Sequence, residues 1–154
     1  MQTLRKSAAR YASGLLASTR GYTTALPSRE SALVDAESAD VHVDSVAVPG
    51  SDLVKQVVTA SFIFNSQCEH HMLPFYGRVM LAYIPAPGGA SQLLSRSALD
   101  QVVRAYTQRL QVQERITHQL ADAVAELALP EGVMVGGKRT LSSRRSPSIS
   151  RDGM

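Results

Sequence analysis

A chain of 154 residues, 44% hydrophobic and 19% charged, is long enough for one domain with a core and short for two. Its single cysteine, Cys68, excludes an intrachain disulfide, and no run approaches the ~18 apolar residues of a membrane-spanning helix. The net charge of +3 comes from the tail, where Lys138, Arg139, Arg144, Arg145 and Arg151 face Asp152 alone; the body is near neutral and predicts neither a nucleic-acid nor a membrane partner.

Residues 1–26 support two readings. Arg5, Lys6, Arg10 and Arg20, with no acidic residue before Glu30 and frequent Ser, Ala and Thr, suit an organelle transit peptide. Leu4, Ala8, Tyr11, Leu15 and Leu16 fall equally well on one helical face, with Gly21 at a C-cap position. Residues 27–52 read as an acidic loop: Pro27, Ser28, Glu30, Asp35, Glu37, Asp40, Asp44 and Pro49-Gly50-Ser51 leave little to bury. A strand is predicted within residues 53–64, rich in β-branched and aromatic side chains (Val57, Val58, Thr59, Phe62, Ile63, Phe64). A second covers residues 77–84 and stops at the turn residues Pro85 to Gly89.

Two helices follow. Leu99, Val102, Val103, Tyr106 and Leu110 repeat at helical spacing, as do Ile116, Leu120, Val124 and Leu127, with residues 110–113 breaking the phase between them. Pro130 and Gly132 close the second helix. Val133-Met134-Val135 predicts a short strand that ends at Gly136-Gly137. The Arg/Ser tail, residues 136–154, has almost nothing apolar and predicts disorder.

The most informative stretch is Cys68-Glu69-His70-His71, just past a predicted strand. A thiolate and an imidazole three residues apart can both reach one tetrahedral Zn²⁺. The competing reading is an exposed thiol beside two surface imidazoles, because zinc needs three or four ligands and neither His42 nor His118 has a spacing that marks it as the third.

The surrounding residues are more specific. Ser66-Gln-Cys-Glu-His-His-Met-Leu-Pro-Phe-Tyr-Gly77, followed by Ala82-Tyr-Ile-Pro85, closely resembles the strand–loop–strand signature of the GTP cyclohydrolase I family. Arg109-Leu-Gln-Val-Gln-Glu-Arg-Ile-Thr117 resembles the family's second signature, and the resemblance spans roughly residues 5–135. It implies an α+β tunnelling fold: an antiparallel sheet with two central helices, preceded by an N-terminal helix. It implies an enzyme that opens the imidazole ring of GTP at C8, releases formate and forms 7,8-dihydroneopterin triphosphate, the first step towards tetrahydrofolate or tetrahydrobiopterin. A homodecamer with sites between subunits is implied too. The expected compartment is the cytoplasm, or a mitochondrion or plastid if the N-terminus is a transit peptide.

Carried over residue by residue, the resemblance makes Cys68 and His71 two of three protein ligands of a catalytic Zn²⁺. It makes His70 a proton-transfer residue, a task suited to an imidazole. Glu114 becomes the carboxylate that grips the guanine edge, and Gln113 its neighbour. Ser97 becomes the serine near the ribose and phosphates, at a helix start. Glu114 and Ser97 also suit helix N-termini simply as dipole and capping residues, and Phe75 and Tyr76 read as core.

The sequence departs from the family at two places. Basic residues expected for the triphosphate are replaced by Ala98 and Gln101, although a shift of two brings Ser95-Arg96 into the serine–basic slot. The His-x-Cys strand that follows residue 135 in the family, and carries the third zinc ligand, has no counterpart. The expectation is therefore a truncated or alternative product whose last strands are incomplete. Such a chain is expected to be nearly inactive alone, or to join full-length subunits and modulate them.

Overall fold

In the computed structural model, which describes residues 2–50, 52–87 and 92–140, the sheet is built on two long strands. Strand β3 (Val54–Cys68) and strand β4 (Pro74–Ile84) pair antiparallel, with Phe64 opposite Gly77 and Gln67 opposite Pro74. Side chains alternate between faces along a strand. Val58, Ala60, Phe62 and Phe64 of β3 therefore join Phe75, Val79, Leu81 and Tyr83 of β4 in one buried layer. On the other face Ile63, Tyr76 and Met80 remain exposed. Phe75 thus belongs to the core as expected, whereas Tyr76 does not.

Helix α3 (Arg96–Thr107) and helix α4 (Gln113–Ala128) cover the buried layer. Leu99, Val102 and Val103 meet it from α3, and Ile116, Leu120 and Val124 from α4. Ser95 caps α3, its hydroxyl accepting from the Ala98 N–H at 3.2 Å. The predicted periodicity ran one turn too far, since α3 stops at Thr107 and Leu110 starts the two-residue strand β6 (Leu110–Gln111). That strand pairs parallel with the end of β3, Cys68 opposite Gln111. Leu129, left-handed at φ 46°, ends α4.

Residues 27–52 are not the loop predicted. Ser28 caps a one-turn helix, α2 (Arg29–Ala32), which runs into strand β1 (Leu33–Asp35). β1 pairs antiparallel with strand β5 (Gln92–Leu94) in a separate ribbon. Strand β2 (His42–Ala47) then pairs antiparallel with β3 at the sheet edge. Every residue of β2 is exposed, so no apolar alternation marks it; backbone pairing alone makes it a strand. The predicted end at Gly136-Gly137 is also corrected. Strand β7 (Gly132–Thr140) continues through both glycines, because β4 supplies ladder partners as far as Tyr76 opposite Thr140. The sheet order is β2-β3-β4-β7, with β6 beside β3. This is the expected α+β architecture. The remainder of the predicted disordered tail, residues 141–154, lies outside the described residues.

The N-terminal segment is helical, α1 (Gln2–Ser18), and leaves Tyr11 and Leu16 exposed. Gly21 is not its C-cap. It is buried in the following 3-10 turn (Arg20–Tyr22), where its N–H donates to Gln108 O at 2.8 Å. A Cβ there would stand 2.4 Å from Ala105 O and 2.6 Å from Gln108 O. Gly21→Ala is expected to force the turn off α3 and cost about 1–3 kcal/mol, as overpacking does. A thermal melt unchanged from wild type would refute this.

Tyr83 gives a second test. Its buried hydroxyl accepts from the Leu94 N–H at 2.9 Å and joins the sheet to β5. Burial pushes its ionisation above the ordinary 10.0, with the Leu94 hydrogen bond partly opposing. The folded state therefore holds a proton that the unfolded chain releases. That stability is complete below the unfolded value and is lost as pH rises through the folded one. Tyr83→Phe should cost about 1–3 kcal/mol near neutrality by orphaning the Leu94 N–H. Denaturant melts above pH 10.0 should show the wild type losing this advantage; a constant difference would contradict the assignment.

Candidate active site

The β3–β4 hairpin turn sets the geometry of the chemistry-bearing residues. Cys68 N–H donates to Leu73 O at 2.8 Å, and Met72 N–H donates back to Cys68 O at 2.9 Å. Met72 takes a left-handed φ of 54°, rare for a residue with a side chain and a mark of a turn held by its surroundings. The Gln67 amide closes the loop by donating to Met72 O. This wrapping brings Cys68 Sγ to 3.7 Å from His71 Nδ1. The His70 ring stands edge-on to His71, with centroids 6.3 Å apart, and its side chain is 66% exposed.

The thiol is acidified. The His71 backbone N–H, the His71 ring and the His70 backbone N–H all favour the anion and hold Cys68 below the ordinary thiol range, against some desolvation. The turn thus presents a half-buried thiolate-prone sulfur and an imidazole nitrogen together, open to solvent.

Next to this turn begins α4. Pairing of Cys68 with Gln111 and a 3.3 Å bond from the Glu69 N–H to Gln111 O place the turn beside the residues that open the helix. Glu114 lies in the first turn of α4, exposed and without an ion-pair partner among the described residues. A carboxylate is favoured there by the helix dipole. The Gln113 amide donates to Gly137 O at 3.1 Å and so fastens α4 to β7. Arg115 forks onto Glu69, with Nη2 to Oε1 at 3.0 Å and Nη1 on the other oxygen. The guanidinium holds the Glu69 carboxyl below the usual range.

The structure thus brings Cys68, His70, His71, Gln113 and Glu114 into one neighbourhood. Ser97 is not part of it. It lies exposed at the start of α3 and lines a separate cleft of about 490 Å³ with Arg20, Gln101 and Arg104. The helix cap is Ser95, and the adjacent Arg96 donates to Ser61 O at 3.1 Å and stacks on Phe62 at 4.9 Å. Among the described residues no third His, Cys, Asp or Glu joins the Cys68–His71 pair. Sequence reading missed the Glu69–Arg115 pair, whose members are 46 positions apart and share no spacing signal. It also missed the anchoring of Arg109, whose Nε donates to Gly21 O at 3.2 Å while the guanidinium lies over Tyr22 and Tyr106.

An antiparallel sheet covered by two helices, with a thiol and an imidazole on a hairpin turn beside the start of a helix, defines an α+β protein. Comparison with known proteins makes the assignment specific. A sequence model of the GTP cyclohydrolase I family matches residues 1–140, and the chain belongs to that family. Its fold is accordingly the tunnelling fold. GTP cyclohydrolase 1 of Deinococcus radiodurans is 51% identical over 89 residues, covering 58% of this chain and 38% of that protein. GTP cyclohydrolase 1 of Drosophila melanogaster is 36% identical over 134 residues, covering 87% of this chain and 36% of the relative. The Bacillus pumilus protein of the same name is 43% identical over 86 residues, 56% of this chain and 44% of its own. The chain thus matches less than half the length of each of these relatives.

Proposed function

We propose that this chain acts on GTP, opening the purine ring by hydrolysis at C8 to yield 7,8-dihydroneopterin triphosphate and formate. The observation that carries the proposal is the Cys68–His71 pair beside the opening of α4. Two ligands at zinc–sulfur and zinc–nitrogen bond lengths, set at a tetrahedral angle, stand about 3.6 Å apart. The observed Sγ–Nδ1 separation of 3.7 Å suits a shared Zn²⁺ with little rearrangement. Bound zinc supplies Lewis acidity, the source of a strong oxygen nucleophile at neutral pH.

The chain's own residues do the rest. Cys68 and His71 hold the metal. Glu114 accepts the paired N–H donors of the guanine edge, which adenine lacks, and Gln113 lines the same edge. His70, solvent-open and next to the ligands, moves protons around the purine ring. Ser97 meets the ribose–phosphate end, from a neighbouring subunit of a homodecamer, since its own cleft lies apart from Cys68. The compartment is the cytoplasm, or an organelle if residues 1–26 direct import; among the described residues no helix is long and apolar enough to cross a membrane.

Two protein donors are one fewer than a catalytic zinc takes, and Cys68 is the sole cysteine of the 154 residues. These residues by themselves should therefore turn over GTP far more slowly than an intact family member. Metal analysis together with formate release from GTP tests the reading. Zinc-dependent formate production at a low rate is expected. Production that ignores zinc would overturn the mechanism, and a rate equal to an intact relative's would overturn the two-donor limit.

A second reading is favoured by the sheet. Ile63, Met80 and Met134 are 58–75% exposed on its helix-free face, and among the described residues β7 pairs with β4 alone. On this reading the chain joins intact subunits through that edge and face and alters their rate. Mixing it with an intact GTP cyclohydrolase I should then change both activity and elution volume; unchanged values would eliminate it.

A further inference from the structure

We propose that the Glu69–Arg115 ion pair is a positioning device that couples the two halves of the site, so that metal binding and guanine binding strengthen one another. The inference rests on the reading of Cys68, His71 and Glu114 given above and adds the element that joins them. The metal donors sit on the hairpin turn; the purine-edge acceptor sits on α4. Their backbone link runs through Gln111, by strand pairing with Cys68 and by the Glu69 N–H bond. Those contacts, with the Gln67–Leu110 pairing beside them, place the turn against β6, two residues short of the helix, and none of them reaches α4 itself.

The Glu69 side chain spans the gap. It follows Cys68 directly and reaches Arg115, which follows Glu114 directly. The contact is a fork in which both carboxylate oxygens meet separate guanidinium nitrogens. Such a planar, two-point contact sets orientation as well as distance, which a single-point ammonium contact does not. A swing that separates the Cys68–His71 pair from Glu114 must break both bonds. The same carboxylate lies 3.8 Å from His70 Nε2, beyond hydrogen-bond distance but beside the third of the turn's proposed functional side chains. The pair is partly exposed, and such pairs add little to global stability. Its value lies in its position, and the readout must be coupling rather than melting temperature.

The experiment uses the full 154-residue chain, Zn²⁺ or Co²⁺ as metal probes, and guanosine as the purine probe. Guanosine carries no phosphates to chelate the metal. In the wild type, saturating Zn²⁺ should lower the guanosine dissociation constant at least about fivefold, and guanosine should lower that of Zn²⁺ by the same factor. Glu69→Gln and Arg115→Lys should each bring that factor to within about twofold of unity, with the Co²⁺–thiolate absorption band and the metal-free guanosine affinity retained. The exchanged pair, Glu69→Arg with Arg115→Glu, should restore coupling. Wild-type coupling that survives in the single variants overturns the proposal. So does a wild type that binds both probes without coupling, or an exchanged pair that melts like wild type yet stays uncoupled. Failure of the underlying site reading has a different signature, no Co²⁺–thiolate band and no guanosine binding in the wild type, and removes both.

Discussion

Cys68→Ser should abolish the zinc binding proposed for this chain. A serine hydroxyl stays protonated at neutral pH, so the variant loses the anionic, soft donor and keeps only the His71 imidazole. The His71 backbone N–H, the His71 ring and the His70 backbone N–H hold wild-type Cys68 below the ordinary thiol range, which favours the anionic form a metal requires. Loss of a mere supporting group around a metal site costs up to about 100-fold in affinity, so loss of a ligand should cost at least that. Competition against a chromophoric chelator measures it. Cys68 is half-buried at the end of β3 and packs against the rim of the core, but serine nearly matches its volume, so circular dichroism should be unchanged. A variant that holds zinc as the wild type does would mean that the metal, if it binds, binds elsewhere.

Glu114→Gln should weaken guanosine binding by between about tenfold and a hundredfold, the range for hydrogen bonds to a charged group. The carboxylate offers two acceptors to the N–H pair of guanine. The amide keeps one acceptor and turns the other position into a donor facing a donor. Glu114 is exposed and its side chain holds no ion pair among the described residues, so the change costs folding only the helix-dipole contribution, about 0.3–1 kcal/mol, and falls chiefly on recognition. Adenosine, which lacks the paired donors, should bind no more weakly to the variant than to the wild type. Equal guanosine affinities would return Glu114 to a purely helical role at the start of α4.

These two tests concern residues that a reader of the sequence names at once. Spacing alone leaves Cys68 and His71 open to the exposed-thiol reading and Glu114 to a helix-dipole role; it is the resemblance of contiguous motifs to the family signatures that singles them out. The strongly periodic elements were legible without it. Leu99, Val102 and Val103 repeat at the helical period because they face one core, and Phe62 and Phe64 alternate because β3 buries one face. The chain's ladder-dependent strands were not. β2 has no buried side chain, and β7 crosses two glycines; each is a strand because a neighbour offers backbone partners, which leaves no trace in composition.

Gly21 and Arg109 make the same point for long-range contacts. As sequence, the glycine suggests a helix end; in the fold it is a surface on which α3 rests, with carbonyls at 2.4 and 2.6 Å from any added Cβ. By itself the sequence determined the family and the α+β class, and it named the side chains proposed as donors and acceptors. The class follows from local periodicity, the family and the named side chains from the resemblance of two contiguous motifs. Only the tertiary structure decided which of those groups are neighbours: it set Cys68 against His71, laid the start of α4 beside them, left Ser97 in another cleft and joined Glu69 to Arg115. Proximity between residues tens of positions apart is settled by how strands and helices pack, and packing is a property of the whole chain rather than of any segment.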